Sequence, residues 1–405
     1  MIELKGKYTD AKIFTDVVDN ATLSQIQTLI NQEFMAHTGV RIMPDCHAGT
    51  GCTIGTVIKF KDKMCPNLTG VDLNCGMHVV YLGKIKINFE ELDKVIRTYI
   101  PSGRDIHARS DYNDIDLKIL YANVDIDRAC RSIGTLGGGN HFIEIDVDKN
   151  DNYYLIIHTG SRYLGLQVCK YYQDLAWEKL KDKAAGGNLK EQIKRVTEYY
   201  KSIGKQKELS RIIKELKDNY KASHPDVPYE LAYLEGDDLT KYLMDSIILN
   251  KYARDNREAI GGKICKEMKW KPLDMFHTVH NYIDAHGMIV RKGAISAKKD
   301  ELAVIPINMR DGTLLVKGKG NIDWLESAPH GAGRIMSRNE AKNSISMKDF
   351  KDSMEGIYTT CINTDTVDES CFAYKRMEDI VNNIQDTVEI LEVLKPVYNF
   401  KAGGE

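Results

Sequence analysis

The stretch Gly134-Thr-Leu-Gly137-Gly138-Gly139-Asn140-His141-Phe-Ile-Glu144-Ile-Asp146-Val-Asp-Lys149-Asn150-Asp-Asn152-Tyr153-Tyr-Leu-Ile-Ile-His158-Thr-Gly-Ser-Arg162 carries two strand-like apolar runs around a polar turn. That pattern predicts an antiparallel hairpin centred between Lys149 and Asn150. In this register His141 faces His158, and directly opposite side chains carry Cβ atoms ~5 Å apart. Two imidazoles side by side are what a metal ion requires, and a slip of one residue would part them. A lone strand histidine is more often structural; the pairing is what favours ligands. The glycine run precedes a strand instead of opening a helix, and no Gly-Lys-Ser/Thr follows, so it is neither a Rossmann nor a P-loop element. It either lets backbone amides approach a phosphate or makes a tight turn.

Three further segments carry chemistry. Gly70-Val-Asp72-Leu-Asn-Cys75-Gly76-Met77 sets a carboxylate and a thiol three residues apart between glycines. The thiolate suits borderline or soft metals and the carboxylate harder ones such as manganese, although a buried cysteine beside a turn aspartate reads equally well. His280-Asn-Tyr282 precedes Arg291-Lys292-Gly293-Ala294, a histidine followed by a cationic pair suited to phosphate. Spacing alone does not choose among His277, His280 and His286. In Ser327-Ala-Pro329-His330-Gly331-Ala332-Gly333-Arg334-Ile-Met-Ser337-Arg338, His330 sits where a helix should begin. Arg334 and Arg338 would then share a helical face, and the helix start would favour an anion. An imidazole nitrogen can attack phosphorus; the alternative is a histidine capping a helix with solvated arginines.

The 405-residue chain is 42% hydrophobic and 28% charged, an ordinary globular mix that excludes disordered and collagen-like classes. Asp plus Glu is 58 against 56 Lys plus Arg, a net −2 that announces no polyanionic partner. The start Met1-Ile-Glu-Leu-Lys-Gly-Lys-Tyr8 lacks a signal-peptide apolar region, and no run reaches the ~18 residues of a membrane span. Nine cysteines without a CxxC pair indicate free thiols in a reducing, cytoplasmic setting. Residues 1–160 read as strands and loops with a short helix near 21–34, and about 166–268 as helical. Within 181–221, 12 basic residues face 6 acidic ones, which is either a solvated helical hairpin or a polyanion surface. Strands return near 288–290, 304–307 and 314–316, with helices after His330 and over much of 375–394. No zinc-protease His-Glu-x-x-His occurs, and Met309-Arg310-Asp311-Gly312 lacks the lysine of a lysine-nucleophile ligase.

In this order, these motifs resemble the RtcB family of RNA-splicing ligases, as do Met43-Pro-Asp45-Cys-His47-Ala-Gly-Thr-Gly51 and Ala373-Tyr374-Lys375. The resemblance implies an α+β fold, a single catalytic body over 1–405 whose sheet core carries a dinuclear metal site, with helices outside and a helical insertion at about 166–268. It implies a GTP- and manganese-dependent ligase joining an RNA 2′,3′-cyclic phosphate or 3′-phosphate to a 5′-hydroxyl. Asp72, Cys75, His141, His158 and His280 would hold two manganese ions, with Cys75 bridging, and His330 would form a histidine–GMP adduct. Asn140, Glu144, Tyr374 and Lys401 would bind the nucleotide with Gly331, Ala332 and Gly333. Arg162, Lys292, Arg334 and Arg338 would cradle RNA phosphates. An archease-type activator belongs to the same picture as a partner.

Two departures stand out. The family pattern Pro-Gly-Ser-Met-Gly-x-x-Ser reads Pro306-Ile-Asn308-Met-Arg310-Asp311-Gly-Thr313, putting Asn308 and Thr313 where guanine-side serines are common. Pro329 replaces the usual serine before His330. A metal-dependent phosphoesterase would need the metal set but not His330, and a non-catalytic RNA-binding protein neither nucleophile nor guanine site. The intact His330–Arg334 segment disfavours both.

Overall fold

The chain is described by a computed structural model covering residues 1–110, 112 and 115–402. It is a mixed α+β structure whose central element is a seven-stranded antiparallel sheet. The strand order is Asp274–Val279, Gly76–Gly83, Tyr153–Thr159, Phe142–Val147, Val388–Lys401, Gly312–Gly318, Leu302–Asn308. Leu155, Ile156 and Ile157 are all fully buried, a continuous apolar run that needs cover on both faces of the sheet. One face packs Ile143, Ile145 and Ile157 against Ile260 and Ile264 of the long helix Gly236–Met268 and against Leu92 and Ile96 of the helix Phe89–Tyr99. The other encloses Met77, Val79, Phe142, Ile156, Val304 and Leu394. The sheet curls until its edge strands meet, Thr278 Oγ1 accepting from the Val304 N–H at 3.1 Å.

A six-stranded sheet runs Ile2–Lys5, Asp10–Ile13, Gly39–His47, Ile54–Lys59, Ile289–Lys292, Asn281–Asp284. Its last strand follows Asp274–Val279 of the other sheet with only His280 between them. That histidine is therefore pinned at the junction of the two sheets.

The predicted hairpin forms, but its register differs by one residue: Phe142, not His141, lies opposite His158. The turn uses three residues, Lys149, Asn150 and Asp151, with Asp151 left-handed at φ 61°. The Asp148 carboxylate fixes it, accepting from the N–H groups of Asn150 and Asn152 at 2.8 and 2.9 Å. A three-residue loop closed by a left-handed residue is a standard hairpin solution. His141 stands just ahead of the ladder, its N–H turned back to Gly138 O, so the alternation of side chains along the strand does not govern it.

Two expected helices are corrected. No helix begins at His330, which follows the strand Ser327–Pro329; the next helix is Arg338–Ser344, and Arg334 and Arg338 share no helical face. The backbone groups between are committed elsewhere, Ile335 N–H to Ala373 O and Lys375 N–H to Gly333 O. In 375–394 only Met377–Ile384 is helical, and Val388–Lys401 is a strand. Pro396, which a helix interior excludes, falls where the strand's register shifts.

Between 162 and 268 run four helices, Arg162–Ala184, Leu189–Ser202, Leu209–Ala222 and Gly236–Met268. The outer two bury Leu164, Val168, Tyr172, Leu249 and Tyr252 in the main core, whereas the middle two bury no residue. Among the described residues, no helix is long and apolar enough to cross a membrane.

Candidate functional site

Four strand ends converge at one rim of the seven-stranded sheet: Gly76 pairs with Thr159 and with Val279, and Phe142 with His158. Cys75, His141, His158 and His280 sit at or next to these ends, and Asp72 lies three residues before Cys75. Their donor atoms form two groups, Asp72–Cys75–His141 and Cys75–His158–His280, each within 4.8 Å. Cys75 belongs to both. Its Sγ is 3.5 Å from His141 Nε2 and 3.2 Å from His158 Nε2; Asp72 Oδ2 is 2.9 Å from His141 Nε2, and His158 Nε2 is 3.4 Å from His280 Nε2. His141 Nδ1–H donates to Leu136 O at 2.9 Å and His158 Nδ1–H to Asn140 O at 3.1 Å. These outer bonds fix the tautomer and aim each Nε2 lone pair inward, as in metal-ligating histidines.

The electrostatics fit a cation pair. Burial drives His158 and His280 well below the ordinary imidazole range, leaving both neutral. Burial alone would lift Asp72, but its contact with His141 and the charge of Arg162 hold its carboxyl down. Burial and then the Asp72 charge push the Cys75 thiol far up, so its thiolate needs a cation beside it. Buried Asp72 Oδ1 has no partner. A thiolate shared by two N/O donor sets accommodates two borderline cations, and manganese suits the carboxylate side.

Next to His280, with ring centroids 4.8 Å apart, stands His330. Its Nδ1–H donates to Asp45 Oδ2 at 2.6 Å, and the same oxygen accepts the His330 and Gly331 N–H groups at 3.1 and 3.3 Å. Asp45 is fully buried. This bond leaves Nε2 with the lone pair, the state a nitrogen nucleophile needs. The end of the strand Gly39–His47 that carries Asp45 is held by buried Lys375, which donates to Pro44 O and Cys46 O at 2.8 and 3.2 Å. Gly333, at φ 75°, lies so close that a Cβ would be 2.1 Å from Asp45 O. Gly333→Ala should therefore lower thermal stability and misplace His330 together, by roughly 1–3 kcal/mol for the left-handed strain alone; an unchanged melting temperature would contradict the packing.

A second set of residues gathers near Lys401. Its ammonium pairs with Glu369 at 2.8 Å, and Glu369 also takes the Tyr374 hydroxyl at 2.6 Å and Arg338 at 2.6 Å. Burial would raise the Glu369 carboxyl, yet Lys401 and Arg338 hold it at about 2. Arg338 also pairs with Asp368 at 2.7 Å, while Arg334 lies over the Tyr374 ring and donates to Asp368 O. Asn399 Nδ2 donates to buried Glu144 at 2.5 Å. Burial raises both Glu144 and its neighbour Asp146. A raised folded-state carboxyl contributes stability at low pH that is lost as pH climbs from the ordinary carboxylate range through the folded value. Glu144→Gln should therefore flatten the decline of stability above about pH 4.5 relative to the parent, measured by denaturant unfolding at stepped pH. Parallel curves would refute the burial argument.

A cleft of about 910 Å³ opens beside this set, lined by Asp72, Asn140, His141, Arg162 and Arg338 among others. Arg162 packs its guanidinium on Gly137, where a Cβ would be 1.9 Å away, and approaches His141 Nδ1 to 3.3 Å. Lys292 does not line the cleft: its buried ammonium donates to Thr50 O and Asn67 O at 2.8 and 3.0 Å. Asn308 is used by its own turn, accepting from the Arg310 and Asp311 N–H groups. Thr313 is fully buried, with its hydroxyl beside the buried Asp146 carboxyl. Gly331 packs near Pro306 O, and Ala332 is buried in the cluster around Ile305 and Leu314.

The family model described as tRNA-splicing ligase RtcB matches residues 25–124 and 118–402. The chain belongs to the RtcB family. It is 27% identical over 402 residues to the RNA-splicing ligase RtcB of Escherichia coli strain K12, covering 88% of each chain. It is 25% identical to RNA-splicing ligase RtcB2 of E. coli strain ATCC 25922, over 96% of this chain and 93% of that one. To the tRNA-splicing ligase RtcB of Nanoarchaeum equitans it is 24% identical, over 92% and 90%.

Within this RtcB-family site, sequence reading missed three residues. Asp45 was visible only as part of a motif. Asn256 and Arg257, both buried, lie on the sheet-facing stripe of the long helix. Asn256 holds the N–H groups of Gly134 and Thr135 and the Gly160 carbonyl; Arg257 holds Asn74 O and Thr159 O at 2.9 and 3.1 Å. Each acceptor adjoins a site loop. The available signal was a polar pair interrupting an apolar helical stripe.

Proposed function

We propose that the protein is a cytoplasmic, GTP-dependent RNA ligase that joins a 2′,3′-cyclic phosphate or 3′-phosphate end to a 5′-hydroxyl end, acting as one catalytic body with an archease-type activator as partner. The observation that carries this is His330 paired with buried Asp45 and set against the second of two donor groups that share Cys75. Manganese held by Asp72, Cys75 and His141 on one side and Cys75, His158 and His280 on the other would neutralise charge developing on phosphoryl oxygens.

Asp45 holds the Nδ1 proton of His330, so Nε2 attacks the α-phosphorus of GTP. A nitrogen–phosphorus bond forms as the bond to pyrophosphate breaks, giving histidine–GMP. A cyclic phosphate end is opened by water; a 3′-phosphate oxygen then takes GMP from His330, and the 5′-hydroxyl oxygen attacks the RNA phosphorus, releasing GMP. Asn140 contacts the nucleotide phosphate, Glu144 reads the guanine edge, Tyr374 and Lys401 complete the base pocket, and Arg162, Arg334 and Arg338 meet RNA phosphates. Asn308 and Thr313, with Gly331, Ala332 and Gly333, border the nucleotide; Lys292 supports the wall beside His280.

The test is incubation with α-labelled GTP and manganese, followed by denaturing electrophoresis. Acid-labile label on the protein is expected. Asp45→Asn should slow its appearance by roughly 10⁴-fold and shift the pH profile of labelling, because an amide no longer fixes the His330 tautomer. Labelling at the parent rate would exclude Asp45 as the positioning residue. A protein that opens cyclic phosphates without taking label would support the phosphoesterase reading instead.

A further inference from the structure

The cleft holds three exposed apolar side chains that the reaction above does not use: Val71, Tyr163 and Leu166, at 50%, 44% and 42% exposure. Each adjoins the machinery, Val71 next to Asp72 and Tyr163 next to Arg162. The Arg128 guanidinium lies over the Tyr163 ring with Cζ 4.8 Å from its centroid. Arg128 Nε is buried without a hydrogen-bond partner. A flat ring backed by a cation, in a cleft that also carries Arg104, Arg162 and Lys342, offers a base one stacking face and its phosphates positive charge.

We infer that Tyr163, backed by Arg128 and flanked by Leu166 and Val71, is a stacking shelf for the first base of the RNA strand that brings the 5′-hydroxyl. The assignment to that strand rests on the ligase reading and on the layout of the site. His330 adjoins His280, a donor of the group that excludes Asp72 and His141, so the phosphorus of the departing GMP is on that side while its guanosine extends toward Tyr374 and Lys401. In-line displacement puts the attacking hydroxyl opposite the leaving group. The opposite side is that of Asp72 and His141, which line the cleft with Tyr163. Stacking of this kind tolerates any base, because every base presents a π-face.

The experiment uses the full chain with manganese and a 5′-hydroxyl RNA oligonucleotide carrying 2-aminopurine as its first base. Wild type and Tyr163→Phe should quench the fluorophore; Tyr163→Ala should not, and should bind about 10-fold more weakly. An oligonucleotide abasic at that position should bind wild type as weakly as the intact one binds Tyr163→Ala. Circular dichroism confirms that each variant is folded, and Tyr163→Phe keeps the test decisive if the alanine variant is not. Undiminished quenching and affinity in Tyr163→Ala, or quenching only when 2-aminopurine is moved to the 3′ end of the other strand, would overturn the shelf. Wild type that takes no label from α-labelled GTP would sink the ligase reading and the strand assignment with it; labelled wild type with an indifferent Tyr163→Ala overturns the shelf alone.

Discussion

His330→Ala takes up no label from α-labelled GTP, and ligation of a 3′-phosphate to a 5′-hydroxyl falls by at least about 10⁴-fold. The size of the loss follows from the geometry. Asp45 binds Nδ1 and two adjacent N–H groups through one buried oxygen, an arrangement that fixes a single imidazole in one tautomer. His47 lies nearby but turns its Nδ1 to Asp45 O, and burial lowers its affinity for a proton. A supplied pre-activated RNA, already carrying 3′-linked GMP, bypasses the missing nucleophile and should restore joining in His330→Ala. Persistent label in the variant, or failure of the activated RNA to rescue it, would remove His330 from the nucleophile role.

Cys75→Ala loses both metal ions together. The thiol is the one donor common to the two groups, and without it each is left with two protein ligands, Asp72 with His141 and His158 with His280. Manganese affinity should drop at least about 100-fold at both positions, since loss of even an outer-shell partner costs 10- to 100-fold. Calorimetric titration and metal analysis check this without reference to activity. His286→Ala, at an exposed position, is the matched control and should retain two ions. Retention of one tightly bound ion by Cys75→Ala would show that the sulfur serves a single site.

Much of the site was legible because ligand chemistry restricts residue type. Cys75, His141, His158 and His280 were all visible in the sequence, and the hairpin that joins two of them was correctly anticipated. The expected register was nevertheless one residue off, since the side chain of Asp148 closes a three-residue turn. His141 escaped the consequence by standing outside the ladder. His277 was indistinguishable from His280 by spacing; the fold separates them, stacking His277 on His78 against Glu258 and setting His280 between the two sheets beside His158 and His330. Asp45 was illegible as a partner because it meets His330 across 285 residues. The supposed helix after His330 failed for the same reason: its backbone groups are spent on residues 373–375, a tertiary bond that local propensity does not record.

The strand Val388–Lys401 lies between Phe142–Val147 and Gly312–Gly318, in the interior of the sheet. During synthesis, everything before residue 388 therefore emerges as two incomplete β-surfaces, each with a bare edge able to pair with a foreign chain. Asn399 and Lys401 arrive with this strand, so the step that seals the sheet against aggregation also delivers the side chains that meet Glu144 and Glu369. A nascent chain stalled upstream of residue 388 is thus both inactive and adhesive, and quality control that removes it disposes of the two hazards at once.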